Sequence, residues 1–341
     1  MMLKAAVIGV GAMGQNHARV YDQMPATQLV GVADVDTEAG ARVARLHHTV
    51  AYSDYRQLLE EARPDVVSVA LPTALHHRAV LDAVEAGCHV LVEKPIAATE
   101  EQAQEIIERA DALQRKLMVG HIVRFDPAVQ ELKKRLAAGE LGRIFQVRCR
   151  RLGPFPARVQ DVGVVIDLAT HDLDLMRYLT GQEAVRVYAE TEQEIHSSHE
   201  DILIGSVRLA DGTIGVLDVN WLTPTKVREL TVTGERGMFR VDHLTQDLDF
   251  YENAETNDER WSAISLLRGV SEGRMIRYPL RKYEPLRAEL EGFVQSVIED
   301  KPVPVEGRDG LIALRLAQAL VQSGREGRAI IITDFEGAKT T

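Results

Sequence analysis

Along the first 120 positions, apolar residues fall into short runs separated by longer stretches in which they recur every three or four residues. The runs Ala5–Val10, Gln28–Ala33, Asp65–Leu71, His89–Val92 and Leu117–Ile122 predict strands. Between them, Asn16–Gln23, Thr37–Leu46, Ser53–Glu61, Leu75–Ala86 and Thr99–Leu113 predict helices, with Thr99 as an N-cap followed by Glu100, Glu101 and Gln102. Strands that are apolar on both faces and alternate with helices predict a doubly wound parallel α/β sheet.

After about residue 140 the pattern changes to alternation. Ile144–Arg150, Val185–Glu190, Ile202–Leu209, Thr213–Trp221, Glu229–Thr233 and Met238–Asp242 predict strands joined by turns such as Asp211-Gly212. Turn-linked strands of this kind predict an antiparallel or mixed sheet. In Thr213–Trp221, Leu217, Val219 and Trp221 face one way while Ile214 and Val216 face the other. The second apolar face needs cover, which predicts a homo-oligomer, a dimer or tetramer, built through this sheet. Val162–Leu179, Glu284–Glu299 and Asp309–Ser323 have helical periodicity. Residues 253–275 carry little pattern and predict a loop or lid, with room for a short helix around Trp261–Leu267. The expected division is 1–122 and 123–341, the last helices packing back on the first domain.

The 341 residues hold 40 basic and 51 acidic side chains, a net charge of −11, which disfavours nucleic acid as a partner. No run approaches the ~18 apolar residues of a membrane span, and the apolar stretch near the start is too short for a signal peptide. With only Cys88 and Cys149, a disulfide framework and a four-cysteine metal site are excluded, and the chain reads as cytoplasmic.

The sharpest local signal is Gly9-Val10-Gly11-Ala12-Met13-Gly14, between the first strand and the first helix. Such a turn brings backbone close to a pyrophosphate, which then rests on the helix N-terminus. Asp34 ends the second strand, twenty residues after Gly14. A carboxylate there binds the adenosine ribose hydroxyls and repels a 2′-phosphate, so NAD is expected over NADP. Asp36 adds to the repulsion; the alternative is that either aspartate merely caps the next helix. Pro72, Thr73 and His76, then Glu93-Lys94-Pro95, follow later strands at the end of the sheet where open α/β folds place ligands. Lys94 is a candidate proton donor or substrate clamp, or an ordinary loop lysine. Asp167 and His171, four apart on a helical stretch, project together, either as a base with its orienting carboxylate or as a helix-stabilising pair.

In this order Gly9–Gly14, Pro72-Thr73 with His76, Glu93-Lys94-Pro95, Arg124-Phe125 with Pro127, and Asp167 through His171 resemble the Gfo/Idh/MocA family, the glucose–fructose oxidoreductase and inositol dehydrogenase-like enzymes. Pro285-Leu286, Glu289-Leu290, Phe293, Pro302 and Gly310 extend the resemblance to roughly residues 3–335. One departure is Val162-Gly163-Val164-Val165-Ile166, where family members often have paired glycines. The resemblance implies a Rossmann domain and an α+β domain whose open, mainly antiparallel sheet serves oligomerisation. It implies an NAD-dependent dehydrogenase with Lys94 and His171 as the catalytic pair and Asp167 positioning the sugar or nicotinamide. Gly9, Gly11, Ala12, Met13, Gly14, Asp34, Pro72, Thr73, His76, Glu93 and Lys94 would line the cofactor.

Gly153-Pro154-Phe155-Pro156-Ala157-Arg158, with Asp161-Val162-Gly163, is similar to a branch acting on UDP-N-acetylglucosamine at C3. Arg124, Arg151 and Arg158 suit an anionic diphosphate or carboxylate, or else pair with the chain's own acids. The alternatives are an inositol, hexose or sugar-acid dehydrogenase, and a nicotinamide-sensing regulator, which would have no need of the Lys94, Asp167 and His171 set. His196 and His199, among Glu194, Glu200 and Asp201, read as a solvated hairpin and not a metal site. His77 is expected on an exposed helix face, Glu131–Glu140 as a solvated helix, and the cysteines as small buried hydrophobes.

Overall fold

The computed structural model describes residues 2–156, 162–196, 198–253 and 272–333. The chain divides into two compact units, one of residues 1–125 with 284–315, the other of 126–283 with 316–341.

The first unit opens with β1 (Leu3–Ile8), α1 (Ala12–Gln23), β2 (Thr27–Ala33), α2 (Thr37–Leu46), β3 (Ala51–Tyr52), α3 (Tyr55–Ala62), β4 (Val66–Val69), α4 (His76–Glu85), β5 (His89–Glu93), α5 (Glu100–Ala112) and β6 (Leu117–Gly120). The six strands form one parallel sheet in the order β3-β2-β1-β4-β5-β6. The doubly wound prediction holds; β3, two residues long, is the strand the apolar runs did not mark. All four residues of β4 and of β6 are buried, as a sheet covered on both faces requires. Side-chain caps fix helix starts: Asp36 accepts from the Glu38 and Ala39 N–H groups, Asp54 from Arg56, and Thr99 from Gln102.

The second unit contains α6 (Pro127–Ala137), β7 (Ile144–Pro154), α7 (Thr170–Thr180), β8 (Ala184–Glu192), β9 (Ile202–Leu209), β10 (Ile214–Asn220), β11 (Leu222–Gly234), β12 (Gly237–Asp242), β13 (Asp247–Asn253) and β14 (Glu272–Arg277). With β15 (Ile330–Ile331) these strands make a nine-stranded sheet, β14-β13-β12-β11-β7-β10-β9-β8-β15. It is mixed but mostly antiparallel, β7 and β10 forming its parallel pair. Leu217, Val219 and Trp221 are buried while Ile214 and Ile204 lie exposed on the other face. That outer face also carries charge across the strands: Arg150 meets Asp218 at 3.3 Å and Glu229 at 3.9 Å, and Arg240 meets Glu229 at 2.8 Å.

Two expectations need correction. Residues 272–275 belong to β14, paired with β13, and are not loop; residues 254–271, including Trp261–Leu267, lie outside the described residues. The stretch Val162–Leu179 is not one α-helix: Val165–Ala169 forms a wide π-type turn before α7 begins.

The chain then returns to the first unit as α8 (Pro285–Ile298) and the start of α9 (Gly307–Glu326). Leu290, Phe293 and Val294 of α8 are buried, and a bridge joins Glu306 to Met118 of β6.

Candidate active site

In the first unit the glycine turn is built by steric exclusion. Gly9 has φ +89°, a conformation glycine adopts without strain, and its N–H donates to Ala33 O at 2.8 Å. A methyl on Gly14 would stand 1.8 Å from the Gly9 carbonyl oxygen, so only glycine lets α1 start this close to β1. A methyl on Gly11 would meet no atom within 4 Å, which leaves an open cradle at the start of α1. Among the described residues no side chain caps that helix, and its first residues, Ala12 and Met13, are not buried. Uncapped N–H groups facing open space at a helix start fit the pyrophosphate of a dinucleotide.

Asp34 completes this half. Its Oδ2 accepts from the Val10 N–H at 2.7 Å and its Oδ1 from the Asp36 N–H at 2.9 Å, so the β2 carboxylate is locked onto the glycine turn. Asp36, and not Asp34, caps α2. Pro72 leads into a tight helical turn, Thr73–Leu75, beyond β4. His76 is buried, its Nδ1 and Nε2 both 2.8 Å from carbonyl oxygens, those of Pro95 and Leu71. Burial lowers its pKa against those two bonds. His76 therefore ties together the loops after β4 and β5.

Glu93 ends β5 and Lys94 follows, half-buried, with a cis peptide to Pro95. The Glu93 side chain turns inward to His17 Nε2 at 3.0 Å. Arg124, expected to meet a substrate anion, is 6% exposed and pairs with Asp309 at 3.2 Å, within this unit. The alternative reading, that an arginine satisfies the chain's own acids, describes it.

In the second unit, Asp167 lies on the wide turn and His171 on the first turn of α7, both half-buried. Beneath them Arg151 Nε donates to Asp172 Oδ1 at 2.6 Å, both side chains buried, which pins α7 to β7. Cys149 lies beside this pair; burial, then the Asp172 charge, pushes its thiol well up. Arg228 on β11 donates to Leu152 O at 2.6 Å. Burial, then the Arg151 charge, lowers its pKa, while Asp172 and Asp167 oppose the shift. Arg228 is thus a cation beside Asp167 that the sequence pattern gave no reason to choose.

The loop before β9 supports the same turn. The Val164 and Val165 N–H groups donate to Glu200, whose carboxylate lies against Gly163. His196 is buried, not solvated as expected. Its Nδ1 accepts from the Ser198 and His199 N–H groups at 3.1 Å, and its ring stacks on Trp221 with Phe155 at the edge. Asp201 accepts from the Glu194, Ile195 and His196 N–H groups. Among the described residues no group of three or more His, Cys, Asp and Glu side chains could hold a metal ion. Arg158 lies outside the described residues.

The glycine-turn cradle joined to Asp34 fits a dinucleotide, and the family match gives the class, an NAD-binding oxidoreductase. Residues 3–121 match the oxidoreductase family with an NAD-binding Rossmann fold and residues 129–240 the GFO/IDH/MocA C-terminal domain, so the chain belongs to the Gfo/Idh/MocA family. It is 31% identical over 315 residues to UDP-N-acetylglucosamine 3-dehydrogenase of Acidithiobacillus ferrooxidans, covering 92% of this chain and 95% of that protein. A solved structure of that enzyme superposes with a TM-score of 0.84 at 30% identity, covering 95% of this chain and 97% of the other. The D-glucoside 3-dehydrogenase of Escherichia coli is 29% identical over 357 residues, covering 96% and 97%. Levoglucosan dehydrogenase in complex with NADH shares the fold, with a TM-score of 0.86 at 23% identity over 98% of this chain and all of that one. Among the described residues no helix is long and apolar enough to cross a membrane.

Proposed function

We propose that this protein oxidises a secondary hydroxyl of a sugar or nucleotide sugar, with UDP-N-acetylglucosamine, at C3, as its substrate. The observation that carries the reading is the 31% identity, across 92% of the chain, to an enzyme named for that reaction. The chemistry it needs is present: a lysine at the end of β5 and an Asp–His pair at the start of α7. The bound nicotinamide supplies the hydride acceptor. His171 removes the hydroxyl proton as general base, and Asp167 holds the imidazole or a ring hydroxyl in register. Lys94 donates a hydrogen bond to the same oxygen and stabilises the negative charge that develops there. Arg158 is the proposed partner of the substrate diphosphate, and Arg228, beside Asp167, is a further cation for it. The carboxylate of Asp34 favours NAD over NADP.

The D-glucoside 3-dehydrogenase relative favours a second reading, a simpler sugar oxidised at the same carbon. One experiment decides between them: NADH formation measured against UDP-N-acetylglucosamine, other UDP-sugars, glucosides and inositols. A kcat/KM for the UDP-sugar no better than for a plain glucoside removes the first reading; no turnover with any of them removes both. The exposed Ile204 and Ile214 on the outer sheet face support assembly of the chain into a homo-oligomer through that face. A monomeric sedimentation profile at micromolar concentration would count against it.

A further inference from the structure

Within the first unit a buried run of polar side chains connects the cofactor helix to the end of β5. The Tyr21 hydroxyl lies 2.9 Å from Ser68 Oγ, Ser68 Oγ lies 3.0 Å from His17 Nδ1, and His17 Nε2 lies 3.0 Å from Glu93 Oε1. Tyr21, Ser68 and His17 are each 0% exposed and Glu93 9%. A carboxylate only accepts, so the arrangement satisfying every group runs one way: Tyr21 donates to Ser68, Ser68 to His17, and His17 to Glu93. Glu289 of α8 is 0% exposed, and among the described residues neither of its oxygens has a hydrogen-bond partner. Burial, then the Glu93 charge, pushes its carboxyl well above the ordinary range, so it is the neutral member of the cluster. Burial alone would push Glu93 up too; the bond from His17, with the nearby Lys94 ammonium, reverses this and leaves it below the ordinary range. Burying so many polar groups is costly unless each is held, and this chain stops on the residue before Lys94.

We propose that His17 is a positioning residue for the reaction: lying three residues beyond the glycine turn, it fixes the Glu93 carboxylate and so holds the strand end that carries Lys94 in register with the cofactor helix. The proposal rests on Lys94 being the donor to the reacting oxygen. The groups facing Glu93 are His17 and, beyond Ser68, Tyr21 from α1, His76 from α4, Glu289 from α8, and its neighbour Lys94. Without the imidazole, burial dominates, Glu93 takes up a proton, and Lys94 loses the anion beside it.

The test uses the full-length protein with His17→Leu, His17→Asn, Glu93→Gln and the His17→Leu/Glu93→Gln double variant. His17→Leu should lower kcat by about 10- to 100-fold, while its affinity for NADH, read by fluorescence, changes less than about 3-fold, because the phosphate cradle is untouched. The acid limb of its kcat profile should move to higher pH. Glu93→Gln should share the lowered kcat without that limb, and the double variant should be no slower than Glu93→Gln. His17→Asn, which keeps one N–H donor, should recover part of the loss, and serves if His17→Leu does not fold. Wild-type kcat and an unmoved acid limb in both His17 variants, or additive losses in the double variant, would overturn the proposal. Carbon-13 NMR of labelled glutamate carboxyls, with the Glu93→Gln spectrum for assignment, reads the link without turnover. The Glu93 resonance should titrate at higher pH in His17→Leu than in wild type, and an unchanged midpoint overturns the proposal even where no substrate is found. Failure of the Lys94 reading shows differently: wild type would oxidise none of the sugars while the NMR shift remained.

Discussion

The last two glycines of the turn, Gly11 and Gly14, separate what the fold needs from what the cofactor needs. At Gly14 an added methyl stands 1.8 Å from the Gly9 carbonyl oxygen and 2.8 Å from its carbon, both backbone atoms. Gly9 is held in place, since its N–H is bonded to the Ala33 carbonyl oxygen at 2.8 Å. α1 must therefore move away from the sheet by more than an ångström. Alanine gains ~1 kcal/mol of helix propensity over glycine, but overpacking of this kind costs about 1–3 kcal/mol or more, and the shift here is at the upper end. Gly14→Ala should lose about 2 kcal/mol net, a fall in Tm of about 4–8 °C for a unit of this size. At Gly11 the methyl meets nothing within 4 Å and φ is an ordinary −64°, so Gly11→Ala should cost the apo protein no more than ~1 kcal/mol, the difference between glycine and alanine as an N-cap. It should nevertheless weaken NADH binding at least about tenfold, because the methyl enters the space the phosphates need. Thermal melts of the apo proteins and NADH fluorescence titrations give the two readouts. Wild-type melting of Gly14→Ala, or wild-type NADH affinity of Gly11→Ala, would refute the assignment.

Three further outcomes follow from the same geometry. Lys94→Ala and His171→Ala should each reduce turnover at least about a hundredfold with NADH binding nearly intact, measured by steady-state kinetics beside the fluorescence titration. Arg151→Met should destabilise the protein by about 3–5 kcal/mol in urea denaturation, because it strands the buried Asp172 charge, and Arg151→Met/Asp172→Leu should recover most of that loss. Asp201 should make the Glu194–Asp201 loop acid-labile. Burial raises its proton affinity but the backbone N–H groups of His196, Ile195 and Glu194 outweigh it, so its folded pKa is depressed. The stabilisation of a depressed carboxylate is complete above the unfolded value of ~3.9 and is lost as pH falls through the lower folded value. Hydrogen exchange in the loop should accelerate only below about pH 4, and Asp201→Asn should abolish the transition.

Sequence pattern located the parallel sheet because strands buried on both faces leave long apolar runs, and it located the glycine turn because a backbone constraint forces a residue type. It missed β13 and the edge strand β14, whose sequences DLDFYEN and EGRMIR carry charges that blur alternation. The wide turn at Val165–Ala169 was illegible because an α-helix and a π-type turn share the same apolar spacing, and the difference is set by Glu200 gripping the Val164 and Val165 N–H groups from another loop. His17 and Glu289 were passed over for a similar reason. Each reads as one polar residue on an amphipathic helix, and only the packing of α1, β4, β5 and α8 shows them to be buried together. His196 misled in the opposite direction: a polar neighbourhood in sequence became an aromatic stack once Trp221 and Phe155 were brought to it.

The cofactor-binding unit is assembled from two stretches of chain, 1–125 and 284–315, with residues 126–283 of the second unit between them. During synthesis on the ribosome, the amino-terminal sheet emerges long before α8 and the Asp309 carboxylate that neutralises Arg124. Until those residues leave the exit tunnel, the nascent sheet lacks the α8 cover and the Asp309 partner of Arg124, and it must wait while residues 126–283 are translated. A stop codon near residue 280 would yield every residue of the glycine turn and every residue assigned to the chemistry, in a polypeptide whose nucleotide-binding half has no means of closing.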